Sequence, residues 1–235
     1  MPGLDAFSSL QRDMTLRSSA APQMVAAPAL PAWQGAAKRA LDVLGAGALL
    51  LVLSPIFLVL ALLVRADGGP AFYAHPRIGR GGRIFGCLKF RSMVVDSQER
   101  LAALLASDPA AQAEWEATRK LRQDPRITRI GRFLRATSLD ELPQLLNVLR
   151  GEMALVGPRP VVKAELDTYY GAAAVHYIAV RPGITGLWQV SGRSDTSYAQ
   201  RVALDVAYVS RPSLMQDIRI LLRTPLAVLS RKGAH

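Results

Sequence analysis

The sequence is poor in the residues that build disulfide bridges, zinc sites and histidine-centred catalytic sites. It has one cysteine, Cys87, and three histidines among 235 residues. A single cysteine excludes an internal disulfide, and the lack of Cys/His spacing argues against a structural zinc site. His75, His176 and His235 are too scattered along the chain to suggest a catalytic triad or a metal cluster. The soluble part of the protein is therefore expected to be cytosolic.

Common nucleotide-binding motifs are also missing. The "GRGG" segment lacks the spacing of a Walker motif, and no strand–GxGxxG–helix unit is present. Aromatic residues make up only 6% of the chain, and no known helical DNA-binding module is recognisable. We therefore expect no nucleic-acid partner, and we find no internal repeat of fixed period.

Positive charge is what the sequence has in excess. Lys and Arg number 29 against 18 Asp and Glu, which leaves a net charge of +11. This balance fits a polyanionic partner, which could be nucleic acid, anionic lipid or a phosphate-bearing substrate, and charge alone does not choose among them. The length suits one domain with attachments.

The N-terminal part, residues 1–34, is rich in Ala, Pro and Ser and lacks a sustained apolar period. This composition predicts a disordered tail. We expect that it is not a signal peptide, because the apolar segment begins only after residue 40.

That segment, Val43–Val64, contains 22 residues without a charge. A straight helix of this length reaches about 33 Å, enough to cross a bilayer. Ser54 and Pro55 near its middle predict a bend, because proline removes a backbone donor. Basic residues flank both ends, which pulls both ends to the cytoplasmic face and favours a re-entrant anchor over 35–66. A single span and a buried soluble helix are the alternatives.

The remaining residues, 67–235, are expected to form a compact domain. Short apolar runs between Pro70 and Val95 predict a β-hairpin. Helices are predicted on both sides of Asp108-Pro109, over 161–180 and over 197–209, and a stripe of Leu142, Leu145, Leu146 and Leu149 predicts another. The last stretch is either an amphipathic helix at the membrane interface or a helix packed on the core. The expected fold class is α+β and mainly helical.

An acidic pair, Asp140 and Glu141, stands at the head of the leucine-striped helix. Ser138 and Glu141 have the spacing of a capping box, so a purely structural role is one interpretation. The other is chemistry, because carboxylates beside cations can hold a phosphate with Mg²⁺. The cations that favour this are Lys89, Arg91, Arg129, Arg132, Arg135, Arg159, Arg181 and Arg193. Taken singly, each arginine also fits a solvated or lipid-facing surface.

Four segments together resemble the bacterial sugar transferases, the monotopic polyprenyl-phosphate sugar-1-phosphate transferases. They are "KRALDVLGAGALLLVLSPIFLVLALLV", "GPAFYAHPRIGRGGRIFGCLKFRSM", "DPRITRIGRFLRATSLDELPQLLNVLRGEMALVGPRP" and "RPGITGLWQVSGR". The resemblance runs from about Lys38 to the C-terminus. The pattern is similar to the short exopolysaccharide-initiating type, which includes galactose-1-phosphate transferases.

This resemblance implies a two-step exchange at the cytoplasmic face of the bacterial inner membrane. A UDP-hexose gives its sugar-1-phosphate to Asp140, UMP leaves, and undecaprenyl phosphate then takes the sugar phosphate. Glu141 is implied as partner in Mg²⁺ binding and acid–base work. Arg135 and Arg159, with Lys89, Arg91, Arg181 and Arg193, are the expected phosphate ligands, and Ser54-Pro55 the helix break. The resemblance also leaves room for a homodimer and for other polysaccharide-assembly enzymes as partners.

Overall fold

The computed structural model describes residues 31–118, 120–192 and 196–229. Most of the predicted tail, together with Arg193 and His235, lies outside the described residues. Within them the fold is mainly helical with two small sheets, as expected for the predicted α+β class.

The first element is one long helix, α1, over Ala32–Arg65, so it begins before the predicted boundary at residue 35. Pro55 lies inside it, and the predicted division into two helices at Ser54-Pro55 is not seen. Pro55 leaves the carbonyl of Leu51 without its usual N–H donor, and the Ser54 hydroxyl donates to that carbonyl instead at 2.8 Å. The hydroxyl therefore compensates for the missing bond, while a re-entrant path through a membrane stays a prediction.

One narrow face of α1 packs on the rest of the protein along the whole helix. Asp42 and Ala46 are buried near one end, and Leu60 and Val64 near the other. Lys38 donates to Asp217 at 2.7 Å, and Arg91 donates to the carbonyl of Val64 at 2.9 Å. Both ends of the helix therefore rest on the same domain.

The opposite face of α1 is apolar and exposed. Its exposed large side chains are Leu44, Leu49, Leu51, Val52, Ile56, Leu58, Val59, Leu62 and Leu63. Among the described residues, α1 is the helix long and apolar enough to cross a membrane by length and composition, and an 18-residue window within it has a mean hydropathy of 2.8.

The predicted hairpin is confirmed. Strands β1, Phe72–Ile78, and β2, Ile84–Phe90, pair antiparallel. The connecting turn, Arg80–Gly82, has positive φ at Gly81 and Gly82, a conformation that glycine adopts without steric cost. Residues that face each other in the register point to the same side of the sheet, so Tyr73, His75 and Arg77 share a face with Lys89 and Cys87.

The helices on both sides of Asp108-Pro109 are also confirmed, as α2, Ser97–Ser107, and α3, Pro109–Thr118. Helix α4 then covers Arg129–Thr137, and a single turn, Leu139–Glu141, leads into α5, Gln144–Arg150. The predicted leucine stripe is only partly right. Leu145 is buried, but Leu149 is exposed and Asn147 is fully buried in its place.

A second sheet was not predicted. Strand β3, Ala154–Val156, pairs in parallel with β4, Gly183–Thr185. Each strand has only three residues and adjoins Gly and Pro, so the sequence looks like loop on both sides. Non-local pairing is what makes these residues strands.

The helix predicted over 161–180 is also wrong as one element. It divides into four short elements. These are helix α6 over Lys163–Glu165, a π-helical turn over Leu166–Tyr170, a 3-10 turn over Gly171–Ala173 and helix α7 over Ala174–Ala179. Gly171 has φ +47°, which interrupts the helical backbone.

The chain continues through α8, Leu187–Ser191, α9, Tyr198–Ser210, and α10, Leu214–Leu229. Helix α10 packs on the core, as one interpretation of the last stretch expected, while its place at a membrane interface stays a prediction. Asp217 and Ile220 on one side are buried, whereas the other side carries exposed Met215, Ile218, Leu222 and Leu226.

Candidate active site

The acidic pair lies in a sharp connection between two helices. Ser138 has φ 57°, in the left-handed region, and it both ends α4 and directly precedes the Leu139–Glu141 turn. Its side chain caps neither the Leu139–Glu141 turn nor α5. The predicted capping box is therefore wrong, because Glu141 uses its carboxylate elsewhere.

Lys89 of β2 holds both acids. Its ammonium donates to Glu141 Oε1 at 2.8 Å and to Asp140 Oδ2 at 3.2 Å. Arg159 donates to the same Oε1 of Glu141 at 3.3 Å. The structure thus brings together four of the predicted site residues from three distant parts of the chain.

The two carboxyls differ in their electrostatic surroundings. Burial raises the pKa of Asp140 above its ordinary value, although Lys89 opposes the shift. Burial also acts to raise the pKa of Glu141, but Arg159 and Lys89 outweigh it and hold that pKa at about 2. Glu141 is therefore firmly ionised at neutral pH, and Asp140 is the less stabilised anion of the pair.

Asn147 positions β2 against the acidic turn. Its side chain donates to the carbonyl of Gly86 at 2.8 Å and accepts from the N–H of Leu88 at 2.9 Å. Since α5 begins just after the acidic turn, these bonds fix the strand of Lys89 relative to Asp140. The sequence signal for this residue is a polar side chain within a leucine-rich helix.

Arg159 follows β3 in a loop that packs backbone against backbone. The N–H of Gly183 donates to the carbonyl of Pro158 at 2.8 Å, and the N–H of Gly157 donates to that of Thr185 at 2.9 Å. A Cβ at Gly157 or at Gly183 would overlap the backbone of the facing segment. The second sheet, which the sequence did not predict, therefore positions Arg159 beside the acidic pair.

Arg135 lies at the edge of the site. It is in the last turn of α4, exposed, and its Nε donates to Ser92 Oγ at 2.9 Å. Burial has the largest effect on the pKa of Asp140 and raises it. The charge of Arg135 opposes this rise, as Lys89 does, but it is the smallest of the contributions.

The structure does not bring two other expected phosphate ligands to the acidic pair. Arg91 donates to Asp67 and to the carbonyls of Val64, Pro70 and Met93, so it ties the end of α1 to the hairpin. Arg181 donates to the carbonyl of Gly151 at 2.7 Å, just past the end of α5. Arg193 lies outside the described residues.

A cleft opens beside Glu141. It is lined by Arg77, Cys87, Lys89, Glu141, Gln144, Arg159, Pro160 and Ile184. Arg77 and Gln144 were not among the predicted site residues. The alternation of β1 could have pointed to Arg77, because it shares the sheet face of Lys89.

The donor set suits a hard cation. Lys89 binds Oδ2 of Asp140, and Lys89 and Arg159 both bind Oε1 of Glu141, so Oδ1 and Oε2 take no hydrogen bond from the described residues. Mg²⁺ is commonly held by one or two carboxylates together with substrate phosphates. Groups of three or more His, Cys, Asp or Glu side chains that could hold a metal ion are absent from the described part of the chain.

Comparison with known proteins assigns the sequence to a family. The sequence model described as bacterial sugar transferase matches residues 33–231. The chain belongs to the bacterial sugar transferase family. The match includes α1, the hairpin, the acidic turn and the Arg159 loop, so the whole candidate site lies within the family's region.

Several bacterial sugar transferases are similar to the chain. The UDP-galactose-lipid carrier transferase of Erwinia amylovora is 56% identical over 84% of this chain and 41% of its own length. The exopolysaccharide production protein ExoY of Rhizobium meliloti is 54% identical over 86% of this chain and 89% of its own length. The UDP-glucose:undecaprenyl-phosphate glucose-1-phosphate transferase of Caulobacter vibrioides is 42% identical over 84% and 72%. The chain thus spans about two fifths of the Erwinia protein and most of ExoY.

Proposed function

We propose that the protein transfers hexose-1-phosphate from a UDP-sugar to undecaprenyl phosphate, giving undecaprenyl-diphospho-hexose and UMP, as the first membrane step of exopolysaccharide synthesis. The observation that carries the proposal is the Asp140–Glu141 pair, held by Lys89 and Arg159 beside a cationic cleft. The names of the similar proteins, which include galactose and glucose phosphotransferases acting on undecaprenyl phosphate, support the same substrates.

Asp140 is the proposed nucleophile. Its carboxylate attacks the phosphorus that bears the sugar, the bond from that phosphorus to the bridging oxygen breaks, and the electron pair leaves on UMP. An oxygen of undecaprenyl phosphate then attacks the aspartyl-phosphosugar, and the Asp140 carboxylate is released. Asp140 suits this role because it is the less stabilised anion of the pair and needs no separate base.

Glu141 has a different role in the proposal. A carboxylate with a pKa of about 2 is a weak base, so proton transfer at Glu141 is disfavoured. Glu141 instead orients Lys89 and Arg159. The carboxylates of Asp140 and Glu141 are the groups that would hold Mg²⁺. When bound, the ion neutralises charge on the substrate's phosphate oxygens.

The acceptor is a membrane lipid, and the surface suits a membrane-bound enzyme. The outer face of α1 and that of α10 are both exposed and apolar. Arg129, Arg132 and Arg135 on α4 are exposed around Phe133, which is itself half exposed, as suits anionic lipid. We place the catalytic domain at the cytoplasmic face of the bacterial inner membrane with α1 as a re-entrant anchor.

The decisive experiment measures UMP release from a panel of UDP-sugars in the presence of undecaprenyl phosphate. We expect turnover with UDP-galactose or UDP-glucose and none in Asp140→Asn, with membrane attachment unchanged. Turnover by the asparagine variant would rule out the nucleophile assignment. Tight lipid binding without UMP release from any sugar would favour a basic membrane scaffold instead.

A further inference from the structure

Arg77 is a cation in the cleft whose role is not explained by the fold. It lines the cleft with Lys89 and Arg159, and it is half-buried. Lys89 and Arg159 both contact Glu141, whereas the Arg77 side chain makes no hydrogen bond or ion pair with the described residues. Its acidic neighbour is Glu165, which attracts it from a distance while accepting a hydrogen bond from the Tyr198 hydroxyl.

Backbone bonds hold Arg77 close to Arg159. The N–H of Ile78, the next residue, donates to the carbonyl of Val161 at 3.0 Å. The Tyr177 hydroxyl closes the connection, because it donates to the carbonyl of Ile78 at 2.8 Å and accepts from the N–H of Val161 at 3.1 Å. The end of β1 is therefore fixed to the loop that carries Arg159.

This arrangement places two like charges together at a cost. Burial lowers the pKa of Arg77, and the Arg159 guanidinium lowers it further, with Glu165 only partly compensating. Like charges are disfavoured in a partly buried site unless an anion lies between them. A phosphate that contacts both guanidiniums relieves the repulsion and supplies Arg77 with a partner.

The register of the hairpin gives the cleft a direction. Lys89 is opposite Tyr73, whereas Arg77 is opposite Phe85, four residues farther along β2. At roughly 3.3 Å per residue, the two backbone positions are about 13 Å apart along the strand. Lys89 contacts the acidic pair, whereas the backbone of Arg77 lies farther along the sheet, next to the segment that follows Arg159.

We propose that Arg77 binds the phosphate that leaves with the nucleoside, so that the cleft holds a nucleoside diphosphate with its transferred phosphate at Asp140. This inference rests on the proposed function. In phosphoryl transfer the attacking and leaving oxygens are roughly in line, so the leaving phosphate lies on the side of the reacting phosphorus away from Asp140. Negative charge grows on that phosphate as the bridging bond breaks, and Arg77 is the cleft cation whose side chain has no carboxylate partner to neutralise it.

The test compares Arg77→Gln with Arg77→Lys and with Arg83→Gln in the full-length protein in lipid nanodiscs. Arg83 is an exposed arginine of the same hairpin, so its variant removes an equal charge outside the cleft. In a two-step exchange, kcat/KM for each substrate reports its own half-reaction. We expect Arg77→Gln to lower kcat/KM for the UDP-sugar about ten- to hundredfold, the value of a lost charge-assisted hydrogen bond.

The same variant should leave kcat/KM for undecaprenyl phosphate within about twofold of the wild-type value, since Arg77 takes no part in the second half-reaction. Arg77→Lys should recover part of the loss, and Arg83→Gln should match the wild type. An equal fall for both substrates, or a fall confined to the lipid, overturns the inference.

Direct binding of UMP, measured by titration calorimetry, separates this inference from the proposed function. Weaker UMP binding in Arg77→Gln supports the role of Arg77 even if no UDP-sugar is turned over, in which case only the proposed function fails. Equal UMP affinity in the wild type and in Arg77→Gln overturns the role of Arg77 whether or not the wild type is active.

Discussion

The Lys89 ammonium lies 2.8 Å from Glu141 Oε1, although the two residues are 52 positions apart in the chain. Lys89 also contacts Asp140, and it is largely shielded from solvent. One lysine therefore balances two neighbouring carboxylates that would otherwise repel each other.

Replacing this lysine should cost both stability and turnover. Lys89→Gln leaves two partly buried carboxylates with only Arg159 beside them, so we expect a loss of about 2 kcal/mol in the free energy of unfolding and little UMP release. Lys163→Gln is the matched control, because Lys163 pairs with Asp167 on an exposed helix turn. Its effect should stay within about 0.5 kcal/mol. Equal effects of the two substitutions, measured by chemical denaturation, would contradict the structural role of Lys89.

The backbones of Gly157 and Gly183 are so close that adding a single methyl group at Gly183 should destabilise the protein. Gly183→Ala places a Cβ against the Gly157 backbone, so the Arg159 loop must shift. We expect a destabilisation of about 2 kcal/mol or more and reduced activity. Gly35→Ala is the control, since a Cβ at this helical glycine meets nothing within 4 Å. It should leave activity unchanged and the melting temperature equal or slightly higher. A normal melting temperature for Gly183→Ala would contradict the close packing.

His75 predicts a pH dependence of stability. Burial, Arg77 and Lys89 lower the pKa of His75 to about 4, from about 6.5 in an unfolded chain. Between these values the unfolded state binds a proton that the folded state does not, so stability is full above pH 6.5 and falls as the pH drops toward 4. His75→Gln removes this contribution. The melting temperature of the wild type should therefore fall more than that of the variant between pH 7 and pH 5, and parallel curves would contradict the shift.

The packing of both ends of α1 on one domain predicts a topology. Cysteines introduced at Ala36 and Ala66, which are exposed near its two ends, should label from the same face of sealed vesicles. The natural cysteine should add little background, because Cys87 is buried and burial raises the pKa of its thiol to about 11. Labelling of the two positions from opposite faces would falsify the re-entrant anchor.

Local pattern was sufficient for several elements. The uncharged stretch from Val43 to Val64 predicted a long apolar helix, and the short apolar runs on either side of "GRGG" predicted the hairpin. Asp108-Pro109 predicted the break between α2 and α3. These features depend on neighbouring residues, whose spacing and backbone preferences are visible in the sequence.

The candidate site was predicted less evenly. Asp140, Glu141, Lys89 and Arg159 were named from the sequence and lie together, and Arg135 lies at the edge of the site. Arg91 was equally plausible as a phosphate ligand by charge, but the structure uses it to bind Asp67 and the end of α1. The type of residue does not tell which cation meets which acid.

What the sequence by itself determined is the chemistry available: an acidic pair, an excess of arginine and an apolar helix of membrane length. Only the tertiary structure decided that Ser138 ends a helix instead of capping one, that two three-residue strands carry Arg159, and that Arg77 rather than Arg91 faces the cleft. The physical reason is distance along the chain. Composition and spacing record local preferences, whereas the position of a charge depends on pairings between segments far apart in sequence.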